Sequence, residues 1–260
     1  MRRAFLSIVL LTGAATALPA APAFQDTIAQ RTLACTSCHG KEGRAGPDGY
    51  YPRIAGKPAG YLYNQLLNFR DGRRHYGLMA GLLETLSDAY LAEIAQHFAS
   101  LDVPYPPPQA ATLPAEVLQR GRELAMQGDP ERRVPACASC HGKALTGVAP
   151  GFPGLLGLPR DYLNAQLGAW RTGQRRALPP DCMAEIARRL APEDLSAVTA
   201  WLAAEPLPAN AKPVSVHDTP VVAATPKRKG RRVQPAPPPA PEPPPMRCGA
   251  AQLPALGAAR

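Results

Sequence analysis

Cys35-Thr36-Ser37-Cys38-His39 recurs later in the chain as Cys137-Ala138-Ser139-Cys140-His141. Each pentapeptide reads as a covalent attachment site for a c-type haem. Two thiols three residues apart fall on one side of a helical turn, where both can form thioethers with the two vinyl groups of one haem. The histidine that follows then faces the iron and supplies the proximal nitrogen. A redox Cys-x-x-Cys needs no histidine after it, and a structural zinc site needs four ligands packed together. Cys35, Cys38, Cys137 and Cys140 are therefore the expected tethers, and His39 and His141 the expected proximal ligands, of two covalently bound haem c groups.

The two motifs head two copies of one unit of about 80 to 95 residues. Pro52 recurs as Pro153, and Gly56 as Gly157. Tyr61-Leu62-Tyr63-Asn64-Gln65-Leu66 recurs as Tyr162-Leu163-Asn164-Ala165-Gln166-Leu167. Phe69, Gly72 and Arg74 recur as Trp170, Gly173 and Arg175, and Met79 as Met183 after a small insertion. Each unit reads as helical. Thr27 to Cys38 is a short helix leading into the motif. Ala59 to Phe69 carries apolar residues at helical spacing after Pro58. Ser87 is the expected N-cap of a helix from Asp88 to Leu101, with Leu91, Ile94, Ala95 and Phe98 on one face. Ala191 or Pro192 opens the matching helix, with Glu193 and Asp194 in its first turn. No period-2 stretch stands out. The proline-rich Val103 to Pro114 stretch is short, so the units are expected to pack together.

The N-terminus has the features of a secretory signal. Arg2 and Arg3 form its basic end, Ala4 to Ala17 is too short for a membrane span of about 20 residues, and Ala21-Pro22-Ala23 is a cleavage site. Export implies a periplasmic protein cut near Ala23. The net charge of +9 is unevenly spread: Arg2 and Arg3 carry +2, and the stretch from Ala204 onward carries +5. That leaves a nearly neutral core, which argues against nucleic acid as a partner. The tail, with Lys227-Arg228-Lys229-Gly230-Arg231-Arg232 and Pro235 to Pro245, reads as disordered and PPII-like. Its basic cluster suits an acidic partner or weak contact with a membrane surface, or is simply solvated.

With these motifs on the page, the chain resembles the two-domain dihaem class I cytochromes c of the cytochrome c-four type. The specific features are the paired Cys-x-x-Cys-His motifs, Pro52-Arg53-Ile54-Ala55-Gly56, the run from Tyr61 to Arg74, and the run from Met79 to Asp88. The resemblance implies an all-α fold of two tandem class I cytochrome c domains in pseudo-symmetric arrangement, followed by the disordered tail. The expected boundaries are signal peptide 1–23, first domain 24–105, linker and second domain 106–205, and tail 206–260. It implies Met79 and Met183 as distal iron ligands, 40 and 42 residues after their histidines, in a loop before the last helix. It also assigns the Pro52 and Pro153 carbonyls to the proximal histidine rings. Arg53, Arg74 and Arg175 suit pairing with haem propionates, and Tyr61 and Tyr162 suit either propionate bonds or packing. Met126 reads as core, and His75 and His97 as surface.

Cys182 and Cys248 leave three readings open: two free thiols, a disulfide pinning the tail to the second domain, or Cys182 as a thiolate ligand in place of Met183. The expected function is single-electron transfer in the periplasm with no substrate chemistry. The redox partners would be a dehydrogenase, a bc1-type complex or a terminal oxidase. The rivals are a haem subunit of a dehydrogenase complex, and a dihaem peroxidase or thiosulfate-dehydrogenase-type enzyme, which needs an open or unusual sixth position on one haem.

Overall fold

The computed structural model describes residues 25–215 and 248–254. The expected signal peptide, the basic cluster and the run of prolines from Pro235 lie outside these residues.

The first unit begins with α1 (Ile28–Arg31) and α2 (Leu33–His39). The single helix expected there is broken at Thr32, whose hydroxyl donates back to the Ile28 and Ala29 carbonyls at 2.8 and 3.1 Å. Such back-bonding competes with the helix ladder. Helix α3 (Ala59–Arg70) follows Pro58, then α4 (Gly77–Leu83) and α5 (Asp88–Ser100). The Ser87 side chain accepts from the Tyr90 amide at 3.3 Å, as an N-cap should. Leu62, Leu67, Leu83, Leu91, Ile94 and Phe98 form the core where α3, α4 and α5 meet.

The second unit repeats the plan. It runs through α6 (Ala115–Met126), α7 (Cys137–His141), α8 (Arg160–Thr172), α9 (Cys182–Arg189) and α10 (Pro192–Ala204). Pro192 occupies the first turn of α10. Helices α6 and α10 cross closely enough that a Cβ on Gly121 would lie 2.3 Å from the Ala197 carbonyl oxygen. Leu124, Leu145, Leu156, Leu163, Val198 and Leu202 are its core. Met126, expected in the core, ends α6 and is 37% exposed. A small sheet adds to this unit: β1 (Gly147–Ala149) pairs antiparallel with β2 (Phe152–Pro153) and parallel with β3 (Val214–Ser215). Strands of two or three residues leave no alternation to read in the sequence.

The units are locked together. The His75 amide donates to the Gln174 carbonyl at 2.9 Å, and the Arg176 amide to the Arg73 carbonyl at 2.7 Å. The linker is fastened at its start and its middle. Arg53 donates to the Val103 and Pro104 carbonyls, and the Gln109 amide to the Ala203 carbonyl at 2.9 Å.

The expected boundary at 206 is corrected in part. Pro206 to Ser215 continues along the second unit into β3, and Cys248 to Pro254 is seated on the protein. Cys182 and Cys248 form a disulfide. The Gly249 amide donates to the Pro180 carbonyl at 2.9 Å. Asn64 on α3 pairs with Ala251 in both directions, at 2.8 and 3.1 Å. Ala251 and Leu253 pack on the core of the first unit. Low aromatic content hid this docking, because a few backbone bonds and one covalent link replace a buried face.

Candidate haem centres

Both motifs end their helices on the histidine, and the next residue is a glycine with positive φ, Gly40 at 74° and Gly142 at 83°. A Cβ on Gly40 would lie 2.1 Å from the Ala45 carbonyl oxygen, so the turn excludes other residues. The turn brings the chain back so that Pro52 faces His39 and Pro153, on β2, faces His141. In each case the ring Nδ1 lies 2.7 Å from the proline carbonyl oxygen. A carbonyl can accept and never donate, so Nδ1 carries the proton and Nε2 keeps its lone pair for a metal. Both histidines are buried, and burial lowers their basicity, which favours the neutral imidazole that ligates iron.

Burial pushes the Cys35 and Cys140 thiols up and the Cys137 thiol up to about 11. A nucleophilic redox pair has the opposite shift. These thiols therefore lack the lowered pKa of a redox pair, which is compatible with tethering sites.

Cys35, Cys38, His39 and Met79 line one cavity of about 1050 Å³ that reaches from the first unit to the seam with the second. Its walls include Ile54, Leu62, Leu66, Phe69, Leu83 and Phe98, so it is apolar where a porphyrin needs it to be. In the second unit Cys137, Cys140 and His141 share α7, while Met183 sits half-buried on α9, which packs against α8. The methionines stand on short helices, not in a loop. Asp181 fixes the second of these: its carboxylate accepts from the Ala184 amide at 3.1 Å and the Ala177 amide at 2.7 Å. Cys182 is excluded as a thiolate ligand, because its sulfur is bonded to Cys248. His75 is exposed, and His97 lies edge-on to Phe98 at 5.1 Å.

The seam between the units holds a crossed set of polar side chains. Arg74 donates to Gln65 of its own unit at 3.0 Å and to Gln166 of the other at 2.6 Å. Arg175 donates to Gln166 at 2.8 Å and to Gln65 at 2.9 Å. Arg175 is buried, and both guanidinium groups line the cavity. Among the described residues neither has a carboxylate partner. A buried cation without a counter-charge is costly, and haem propionates are anions of the right kind for this place. The Trp170 indole N–H is likewise buried without an acceptor among the described residues. The donor set therefore fits haem c. Arg53 departs from the expectation: its guanidinium is spent on the Ala55, Val103 and Pro104 carbonyls and on the Tyr105 ring, 3.8 Å away. Gln65 and Gln166 were visible in the sequence as a repeated pair, but no role could be read from them, because the bonds cross between units.

No protein-family model matches the chain. Individual proteins do. It is 34% identical over 207 residues to cytochrome c4 of Pseudomonas aeruginosa, covering 78% of this chain and 98% of that protein. The chain belongs to the cytochrome c4 family. It is also 38% identical over 189 residues to a "thiosulfate dehydrogenase electron acceptor" of Thiomonas intermedia, covering 72% of this chain and 86% of the relative. Among solved structures, reduced cytochrome c4 from Pseudomonas stutzeri superposes with a TM-score of 0.59 at 28% identity, over 68% of this chain and 96% of that one. A thiosulfate dehydrogenase (TsdBA) from Marichromatium purpuratum gives a TM-score of 0.57 at 36% identity over 66% of this chain. The chain spans only 36% of that longer protein.

Cytochromes c4 are dihaem electron-transfer proteins, so this member carries two covalent haem c groups and moves single electrons. When bound, each haem supplies a one-electron iron couple. The chain's own residues would hold the tautomer of each proximal histidine, exclude water around the haem and set Arg74 and Arg175 where its carboxylates could be neutralised. Among the described residues no helix is long and apolar enough to cross a membrane.

Proposed function

We propose that this cytochrome is a periplasmic carrier that takes electrons singly from a dehydrogenase of the thiosulfate-oxidising kind. It hands them on to a bc1-type complex or a terminal oxidase and performs no substrate chemistry itself. Cys35, Cys38, Cys137 and Cys140 tether the haems, His39 and His141 are the proximal ligands, and Met79 and Met183 the distal ones. The observation that carries this reading is the shared cavity of Cys35, Cys38, His39 and Met79. A second ligand of soft sulfur next to a fixed imidazole suits reversible electron transfer. With Met79 and Met183 as sixth ligands, neither haem would offer a vacant position to peroxide or thiosulfate. The disulfide at Cys182 weighs against a thiolate-ligated second haem of the enzyme kind. The name of the Thiomonas relative supports the choice of donor.

The test is a stopped-flow mixture of the oxidised holoprotein, a purified thiosulfate dehydrogenase and thiosulfate. Both haems should become reduced, and the holoprotein with thiosulfate and ferricyanide alone should give no turnover. Turnover in that second mixture would make the protein an enzyme. Failure of the first would remove the dehydrogenase as donor.

A further inference from the structure

Lys57 is a buried lysine of the first unit whose side chain ends in the second. It is 4% exposed, and its Nζ donates to the Gly154 carbonyl at 3.1 Å. Gly154 directly follows Pro153, whose own carbonyl holds the His141 ring. A Cβ on Gly154 would lie 2.5 Å from the Thr146 carbonyl oxygen, so this stretch of backbone is tightly seated. Lys57 therefore pulls on the backbone that orients the proximal histidine of the other domain.

The charged and titratable groups around it come from four directions. Arg53 shares the Tyr105 ring with it, at 3.8 Å for the guanidinium carbon and 5.8 Å for Nζ. Asp102 and Lys212 line the adjoining cavity, but they are paired with each other at 2.7 Å and both are exposed. His141 of the second unit lies within reach of its charge. The nearby stretches from the end of α5 and from Ala149 bring no charge. Among the described residues no carboxylate pairs with Lys57. Burial, and then the charge of Arg53, push its ammonium down to about 7. Its field reaches His141, whose basicity is lowered first by burial and further by Lys57.

The repeat makes this one-sided. Lys57 corresponds to Leu158 and Arg53 to Gly154. The second unit thus sends no matching cation towards the first.

We propose that Lys57 is a proton-linked tuning residue for the haem of the second domain. A protonated Lys57 favours the reduced state of that haem, and its reduction draws a proton onto Nζ. The balance is simple. One electron arrives from the donor, iron(III) becomes iron(II), and the neutral amine takes up one proton from solvent. The coupling is reciprocal, so protonation helps reduction as much as reduction helps protonation. The proposal rests on the one-electron reading of the site and is independent of the donor's identity.

The test is a spectroelectrochemical titration of the full-length holoprotein between pH ~5.5 and ~8.5, spanning the lysine's range, with the two haems resolved by NMR. In the native protein the second-domain haem should become harder to reduce as pH rises through neutrality, while the first-domain haem changes far less. The oxidised-to-reduced ratio should shift on the order of tenfold. Lys57→Gln, which keeps a donor for Gly154, and Lys57→Met should both abolish that dependence. Proton uptake on reduction near neutral pH should fall by the same step. A pH dependence that survives in both variants would sink the proposal. So would an offset equal at every pH, which a permanent ion pair with a propionate would give. If the protein fails to show two reversible one-electron steps at all, the carrier reading fails instead.

Discussion

Residue by residue, the haem centres depend on a few side chains held by backbone. Lys57 also bears on stability, and the sign can be worked out. Its ammonium titrates at about 7 in the fold against 10.5 ordinarily, so the unfolded chain binds more protons between those values. Burying it costs most below pH ~7, and the cost is relieved as pH rises toward ~10.5. Lys57→Met should therefore stabilise the holoprotein by about 2 to 3 kcal/mol at pH ~5.5, after allowing for the lost bond to Gly154. The gain should shrink to nothing or reverse above pH ~10, as read by urea unfolding. The methionines make a separate prediction. Met79→His and Met183→His should each remove about half of the far-red methionine-to-iron band. Cys182→Ala should leave that band whole, because Cys182 is bonded to Cys248. At this scale the motif's spacing alone marked the candidate tethers and proximal ligands, and the structure sets each motif histidine against its proline carbonyl. Arg53 departs from the propionate expectation because nothing local shows that the linker carbonyls return to it. Met126 departs from the core expectation because a methionine at a helix end has no periodicity to place it.

Among the elements, the long helices were legible and the short ones were not. α3, α5 and α10 announce themselves by an apolar stripe and by Pro58, Ser87 or Pro192 at the start. α4 and α9 have seven and eight residues, too few for a stripe, so the methionines they carry were expected in a loop. The pairing of β1 with β3 and the seating of Ala251 against α3 are long-range backbone events that no window of sequence contains. Asn64 tests the second of these. Asn64→Ala removes both bonds to Ala251 and should cost about 1 to 2 kcal/mol. Hydrogen exchange at Ala251 should speed up, while exchange in α10 stays slow. Unchanged protection at Ala251 would mean that the disulfide and Leu253 alone hold the segment.

The whole molecule is a pseudo-symmetric pair whose symmetry is broken by what crosses the seam. The Arg74–Gln166 and Arg175–Gln65 bonds are symmetric, while Lys57 and the disulfide-held segment are not. The disulfide closes a loop with a sequence separation of 66. Loop-closure entropy assigns such a link about 4 kcal/mol. Cys182→Ala with Cys248→Ala should lower unfolding stability by up to that amount while both haems remain attached. A chain cut after Glu205, which loses β3 as well, should be weaker still. The same loop carries the basic cluster from Lys227 to Arg232, between Ser215 and Cys248, both of which are anchored. The cluster is thus tethered at both ends to a protein whose core is nearly neutral before the propionates are counted. If it steers an acidic donor, replacing its five basic residues by glutamine should slow reduction at low ionic strength. The disulfide, both potentials and the folding stability should not change. The difference should fade above ~0.15 M salt, where the screening length is about 8 Å. Equal rates for the two proteins at every ionic strength would reduce the cluster to a solvated loop and shift attention to the exposed Leu78 and Leu82 beside the first cavity.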